Sequence, residues 1–161
     1  MPRRLYVYND LPYCPPPAGC APTFTRLLCE LRTAVVANTH IRLIAIDEQI
    51  EKLAREPVEG PFGRTIAAGA AGHRVAKLLH ERTGWFPSIE TIAITREERS
   101  PGRYAIASTS SRSLDEQLSA GASGRTAIVD DTIYSGLTLV SILELLPEEV
   151  VARTEVFCLQ A

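Results

Sequence analysis

The chain has 161 residues, of which 45% are hydrophobic and 22% are charged, and its formal net charge is −2. This composition is ordinary for one globular domain, and the small net charge gives no reason to expect broad nucleic-acid binding, which requires a basic surface. The sequence contains neither an apolar run of about 18 residues nor a secretion signal. We therefore expect a cytoplasmic protein with no membrane span and no nucleic-acid partner.

The N-terminal part of the chain is irregular at first and then helical. Five prolines in 12–22 predict a surface loop. Thr23 is a candidate N-cap for a helix over 24–37. The apolar stripe of this helix consists of Leu27, Leu28, Leu31 and Val35.

The next segment is ambiguous, because 41–46 fits either a short strand or the start of a helix. Residues 47–55 are more clearly helical, with Ile50 and Leu53 facing inward. A cluster of prolines and glycines at 56–63 then separates this part of the chain from the rest.

Beyond this cluster, short apolar strands alternate with helical segments. The predicted strands are 65–68, 91–95, 126–129 and 154–159, and the predicted helices are 74–82 and 139–146. Strands rich in small and β-branched residues, separated by helices, favour an α/β fold. The expected architecture is an open, mainly parallel sheet with helices on both faces.

The four cysteines do not have the close-pair spacing of a zinc site. Cys29 and Cys158 lie in apolar segments, where buried thiols are common. A bridge between Cys14 and Cys20 would be unusual in a reducing cytoplasm. Structural thiols are therefore the expected state.

The most informative segment is 127–138, which reads AIVDDTIYSGLT. An apolar strand here runs into two acids, Asp130 and Asp131, followed by hydroxyl residues, one glycine and an apolar helix. The hydroxyls, the glycine backbone and the helix N-terminus suit a phosphate, whereas the acids suit a vicinal diol or Mg²⁺. A ribose 5-phosphate carries both groups. The alternative is an ordinary strand-to-helix connection whose hydroxyls cap the helix.

This segment resembles the PRPP-binding motif of type I phosphoribosyltransferases, and in particular the version found in the pyrimidine-attenuation regulators of that family. The resemblance implies transfer of phosphoribose from PRPP to a nitrogenous ring, with Mg²⁺ as cofactor and release of pyrophosphate. Asp130 and Asp131 would hold the ribose hydroxyls directly or through Mg²⁺, and Asp131 is the candidate for the base or for the stabiliser of the oxocarbenium ion. The implied substrate-binding residues of the loop are Thr132, Ile133, Tyr134, Ser135, Gly136, Leu137 and Thr138.

The resemblance covers roughly 63–161. We therefore expect a single phosphoribosyltransferase-like domain over 1–161, with a PRPP-binding core at 61–161 and a hood or accessory segment at 1–60. Relatives are usually dimers, and the N-terminal helices need a surface to cover their apolar faces, so a homodimer is expected. Nothing in the sequence identifies the acceptor ring.

In relatives, the loop that corresponds to 68–74 binds the pyrophosphate of PRPP. The substrate-binding candidates that this implies are Ala70, Ala71 and Gly72. None of them carries a basic or hydroxyl side chain, although His73 or Arg74 could supply a basic group from the next turn. The alternative is a tight strand-to-helix turn in which glycine permits close packing.

The connection 96–125 is far longer than the ~2–6 residues typical of such links, and loops of this size are often lids. It includes a candidate hairpin strand at 104–109. In the family the equivalent segment closes over PRPP and brings positive charge to the pyrophosphate. The candidates for substrate binding are Arg96, Arg99 and Arg112, and the catalytic candidate is Arg103. The alternative is a solvated loop whose arginines pair with Glu97, Glu98, Asp115 and Glu116.

A second function therefore stays open from the sequence alone. The absence of a basic group in 69–72 would also suit a non-catalytic regulatory domain that binds PRPP or a nucleotide.

Overall fold

A computed structural model describes 5–9, 41–100, 103–119, 124–133 and 135–160, together with six helical positions between 23 and 33. The chain divides into two compact units, Met1–Lys52 and Leu53–Ala161. Within the described ranges, no helix is long and apolar enough to cross a membrane. The organisation of 1–161 as one domain with a hood stays a prediction.

The first unit contains a two-stranded parallel sheet formed by β1 (Leu5–Asn9) and β2 (Ile41–Ala45). The strand interpretation of 41–46 is thus confirmed. Helix α1 (Ile46–Ala54) follows directly and buries Ile50 completely, as predicted. Strand β1 was not predicted, although its sequence LYVYN contains the aromatic and β-branched residues that favour strands.

The predicted helix at 24–37 is helical at its five described positions, which are Arg26, Leu27, Cys29, Glu30 and Thr33, and Thr23, the predicted N-cap, is itself already helical. Arg26 and Glu30 form an exposed ion pair with an N–O distance of 2.6 Å. Leu27 is 50% exposed and Cys29 is also exposed, so the predictions that these two side chains are buried are wrong. Both lie close in sequence to this solvated ion pair. The rest of the predicted stripe, Cys14 and Cys20 lie outside the described residues.

The second unit is an α/β fold. In chain order it contains β3 (Arg64–Ala68), α2 (Gly69–Thr83), β4 (Ile89–Ile92), β5 (Ile94–Ser100), β6 (Arg103–Ser108), α3 (Leu114–Leu118), β7 (Thr126–Thr132), α4 (Leu137–Leu143), α5 (Glu148–Val151) and β8 (Thr154–Gln160). Four of the strands form one parallel sheet in the order β4-β3-β7-β8. The predicted open parallel sheet is confirmed.

Helices cover both faces of this sheet, as predicted. On one face, Ile66 and Ile128 pack in a buried cluster with Ile142 of α4 and Val150 of α5. Because neighbouring residues of a strand point to opposite faces, the residues next to these isoleucines in each strand point to the other face. On that face α2 lies directly over β3 and β7. The same face carries Phe157, which packs with Phe62, Trp85 and Phe86 at ring-centroid distances of 5.3–5.7 Å.

The strand order determines where a ligand can bind. From β3 the chain passes through α2 to β4, which is one edge strand of the sheet. From β7 it passes through α4 and α5 to β8, which is the opposite edge strand. The direction of winding therefore reverses between β3 and β7. In open α/β sheets ligands bind at this switch point, outside the carboxyl ends of the strands.

Two element boundaries near the switch point differ from the prediction. Strand β7 continues beyond residue 129 through both acids to Thr132, because β8 pairs with it as far as Gln160. Helix α2 begins at Gly69 and not at residue 74, so the predicted loop is already helical. Glycine suggested a loop there, whereas Gly72 in fact allows the helix to approach the sheet closely.

The predicted strand 91–95 is divided at Ala93, where β4 ends and β5 begins. The backbone N–H of Ala93 donates to Oε1 of Gln117 at 2.8 Å, and its carbonyl accepts from the N–H of Thr109 at 2.9 Å. These bonds divert the backbone from the ladder. Helix α4 ends at Leu143 and not at residue 146, and the short helix α5 was not predicted.

The long connection is structured. Strands β5 and β6 pair as an antiparallel hairpin, which confirms the candidate hairpin strand, and α3 follows with a capping box between Ser113 and Glu116. Arg64 fastens the end of α3 to the sheet. Its buried guanidinium donates to the Glu90 carboxylate at 2.9 and 3.0 Å and to the Leu118 carbonyl at 3.0 Å.

We predict that Gly72→Ala lowers the free energy of unfolding by about 1–3 kcal/mol. A Cβ atom on Gly72 would lie 2.4 Å from the Val129 carbonyl oxygen, which is backbone and cannot rotate away. This clash should outweigh the gain of about 1 kcal/mol that alanine brings to a helix. Urea denaturation measures the change, with Lys77→Ala on the exposed side of α2 as control. A variant as stable as the wild type would show that the helix can shift.

Candidate functional site

An open pocket lies at the carboxyl end of β7. Asp130 lines it from the strand, and Arg96 lines it from the hairpin. The remaining lining comes from the following loop and the start of α4, namely Thr132, Ile133, Ser135, Gly136, Leu137, Thr138 and Leu139. Except for Leu139, all of these are predicted site residues. Tyr134 lies outside the described residues.

The loop reaches its shape through Gly136, which caps α4 in the left-handed conformation at φ 71°. A side chain there would be strained even though a Cβ would meet nothing within 4 Å. The Ser135 hydroxyl lies beside this turn, and the Leu137 N–H points toward it with an N–O distance of 3.5 Å. The loop thus presents hydroxyls and backbone in one place, as a bound oxyanion requires.

One of the four candidate arginines enters the pocket. Nη2 of Arg96 donates to Oγ of Ser135 at 3.2 Å, and the guanidinium carbon lies 5.7 Å from the centre of the Tyr104 ring. This bond joins two parts of the chain that are 39 positions apart.

The other three arginines do not line the pocket. Arg99 forms an ion pair with Glu97 at 3.1 Å, and Arg112 donates to the backbone carbonyl of Glu116. Arg103 is exposed at the start of β6. Local pairing therefore describes Arg99 and partly describes Arg112, whereas the predicted roles of all three toward a ligand stay predictions.

The two acids lie next to one another at the end of β7 and are both partly buried. Burial, together with the hydrogen bond and the charge of the Asp131 side chain, raises the pKa of Asp130 to about 7. The backbone N–H of Asp131 donates to Oδ1 of Asp130 at 2.9 Å and opposes this increase in pKa. A group that donates hydrogen bonds or a cation would relieve the unfavourable charge of this pair.

The segment at 69–72 does not contribute to the pocket lining. It forms the first turn of α2, where Ala70 is exposed and Gly72 is buried against the carbonyl of Val129. Nδ1 of His73 is 2.7 Å from Oγ1 of Thr91, so β4 orients this histidine. The alternative role for the glycine, close packing of the helix on the sheet, therefore describes Gly72.

Within the described ranges, no group of three or more His, Cys, Asp or Glu side chains could enclose a metal ion. The chemistry of Asp130 and Asp131 nevertheless fits Mg²⁺. This ion is commonly held by one or two carboxylates together with substrate phosphates, and it keeps several waters. The pair could hold such an ion only with the help of a ligand.

Comparison with known proteins does not show to which family the chain belongs. No family model matches the sequence, and no curated protein matches it. Among solved structures, the chain is similar to the crystal structure of a purine phosphoribosyltransferase from Pyrococcus horikoshii Ot3. The two are 17% identical with a TM-score of 0.46, over 70% of this chain and 71% of that one. At this identity and TM-score the similarity supports no conclusion about function. The proposals below rest on the strand order and the pocket.

We predict that Asp130→Asn removes a pH-dependent part of the stability. The folded state binds this proton more tightly than the unfolded state, because the pKa rises from an ordinary 3.8 to about 7. The stabilisation is complete below about pH 4 and is lost as the pH rises through about 7. Relative to the variant, the wild type should therefore lose stability between these values.

Urea denaturation at several pH values, in the presence of a metal chelator, measures this difference. Ser135→Ala changes the pocket without removing a carboxyl group and should keep the wild-type dependence. Parallel curves for Asp130→Asn and the wild type would contradict the prediction.

Proposed function

We propose that the protein binds PRPP and transfers its phosphoribosyl group to a nitrogenous ring, with Mg²⁺ as cofactor. One observation carries this proposal. The Asp130 carboxyl and the loop of hydroxyls around Gly136 share one pocket at the switch point of a parallel sheet. This pocket offers acceptors for a diol at one end and donors for a phosphate at the other.

In this proposal the loop around Ser135 and Gly136 holds the 5-phosphate. The ribose hydroxyls donate hydrogen bonds to Asp130 and Asp131, which are the acceptors at the strand end. Burial makes an isolated charge on Asp130 unfavourable, so the diol replaces the water that its carboxylate has lost. The ligand is thereby fixed at both ends, which orients its anomeric carbon toward a nucleophile.

The reaction forms a bond between the ring nitrogen and the anomeric carbon as the bond to pyrophosphate breaks. The electron pair of the broken bond leaves with pyrophosphate, and the ring nitrogen loses its proton. Positive charge that builds on the ribose is stabilised by the neighbouring carboxylates, and Asp131 is the candidate for the proton. Mg²⁺, held by these acids and the substrate, would neutralise charge on pyrophosphate. Arg103 is the protein's candidate for the same task, because it lies exposed on the hairpin.

We predict that Asp131→Asn keeps the fold but lowers turnover about 10²–10⁴-fold, because it removes charge and a proton acceptor with little change in volume. Pyrophosphate release measures turnover with PRPP, Mg²⁺ and a panel of purine, pyrimidine and other nitrogenous rings. The control is Asp115→Asn, which removes an exposed acid of α3 outside the pocket lining. Unchanged turnover in the Asp131 variant would refute the assigned role.

A second function, a non-catalytic domain that binds PRPP or a nucleotide, is favoured by one observation. The segment 69–72 belongs to α2, has no basic side chain, and packs Gly72 against the sheet, so it offers little to pyrophosphate. This function predicts saturable PRPP binding with no pyrophosphate release for any acceptor. Turnover with a single base would eliminate it.

We also propose that the protein is a homodimer. The half-exposed Leu27 on the N-terminal helix supports this, since a second copy could cover an apolar side chain that the chain itself leaves exposed. Light scattering at micromolar concentration should give twice the chain mass, and Leu27→Glu should lower it. A monomer with full activity would contradict this proposal.

A further inference from the structure

We propose that Arg96 binds the 5-phosphate of the ligand and not its pyrophosphate, so that the site selects phosphorylated ribose. This inference rests on the proposed function and makes it more specific. A lid arginine would be expected at the leaving group, but Arg96 reaches the other end of the site. Its guanidinium donates to the Ser135 hydroxyl at 3.2 Å, within the loop assigned to the phosphate.

The charges of the pocket show why a cation is needed there. Asp130 contributes a carboxyl group, and Arg96 is the one basic residue among the described lining residues. A phosphate that entered this pocket without Arg96 would meet hydroxyls, backbone and an acid. Helix α4 has only seven residues and compensates little of the dianion's charge. A guanidinium can bind two phosphate oxygens at once, which makes it suitable for this position.

Tyr104 orients Arg96 on the hairpin. Arg96 pairs with Ile106 and Glu98 pairs with Tyr104, so Arg96 and Tyr104 are diagonal neighbours on one side of the two strands. The guanidinium lies over the aromatic ring at 5.7 Å from its centre. Stacking on a ring face does not use the N–H groups, which stay available for Ser135 and a phosphate.

Gln117 fixes the base of the hairpin. Its side chain accepts from the N–H of Ala93 at 2.8 Å and donates to the Ser108 hydroxyl at 2.8 Å. The N–H of Thr109 donates to the carbonyl of Ala93, which closes the base from the other side. The strand that carries Arg96 is thus held at its root, and its position relative to the phosphate loop is set by the fold.

Isothermal titration of Arg96→Gln with three ligands tests the inference. The ligands are ribose 5-phosphate, PRPP with Mg²⁺, and inorganic pyrophosphate. Loss of a charged hydrogen bond should weaken the affinity for ribose 5-phosphate and for PRPP by the same factor, about 10–100-fold. The affinity for pyrophosphate should not change. Arg96→Lys should recover part of the affinity. The control is Arg153→Gln, because Arg153 is exposed directly before the start of β8, at the end opposite the pocket, and its side chain donates to the Glu149 carbonyl.

The alternative results separate failure of the inference from failure of the proposed function. Weaker binding of PRPP and pyrophosphate, with ribose 5-phosphate unchanged, would assign Arg96 to the leaving group and overturn the inference. Unchanged affinity for all three ligands would also overturn it, while leaving the proposed function intact. A wild-type protein that binds neither ribose 5-phosphate nor PRPP would overturn the proposed function together with the inference.

Variants of Tyr104 test its positioning role. Tyr104→Phe keeps the ring face and should keep the affinity for ribose 5-phosphate, whereas Tyr104→Ala should weaken it without changing pyrophosphate binding. Equal affinities for ribose 5-phosphate in these two variants would show that the ring does not orient Arg96.

Discussion

The close contact between α2 and the sheet is the constraint on which the rest of the site depends. Gly72 brings the helix against the carbonyl of Val129, the residue directly before the two acids. Because α2 also follows β3, this contact fixes the two strands between which the winding reverses. The acids at the end of β7 therefore lie at an edge of the sheet whose geometry is set by backbone packing. Polar side chains can occupy this edge because they are not needed to stabilise the fold.

The hairpin completes the site from the opposite direction. Strand β5 is exposed beyond Ile94, β6 is partly buried from Ala105 to Ser108, and polar bonds hold the base of the hairpin. Gln117 supplies these bonds, and Arg64 holds the end of the helix that carries it. A chain of specific hydrogen bonds thus links the buried sheet to the exposed Arg96. The protein positions its positive charge by this route, since the pocket's own strand contributes an acid and a hydroxyl but no cation.

The sequence predicted what depends on local pattern. Apolar β-branched runs located the sheet strands, and the transition from Asp130 to Gly136 located the pocket. The sequence did not predict features that depend on non-local strand pairing. Strand β7 extends through the acids only because β8 continues beside it as far as Gln160. The start of α2 was missed because glycine favours loops in isolation, whereas at Gly72 it serves packing. Among four similar arginines, only the folded hairpin distinguishes Arg96, through Ser135 and Tyr104.

The geometry of Gly136 also has a consequence for chirality. Its φ of 71° is unfavourable for an L-residue but lies in the ordinary range of a D-residue. D-Alanine introduced by chemical ligation should therefore fit the loop without strain, whereas L-alanine should cost about 1–2 kcal/mol. The D-residue would also restrict the unfolded chain more than glycine does, which favours the folded state. Comparison of D-alanine with L-alanine at this position would therefore show whether the loop around Gly136 requires a particular backbone conformation or a small side chain.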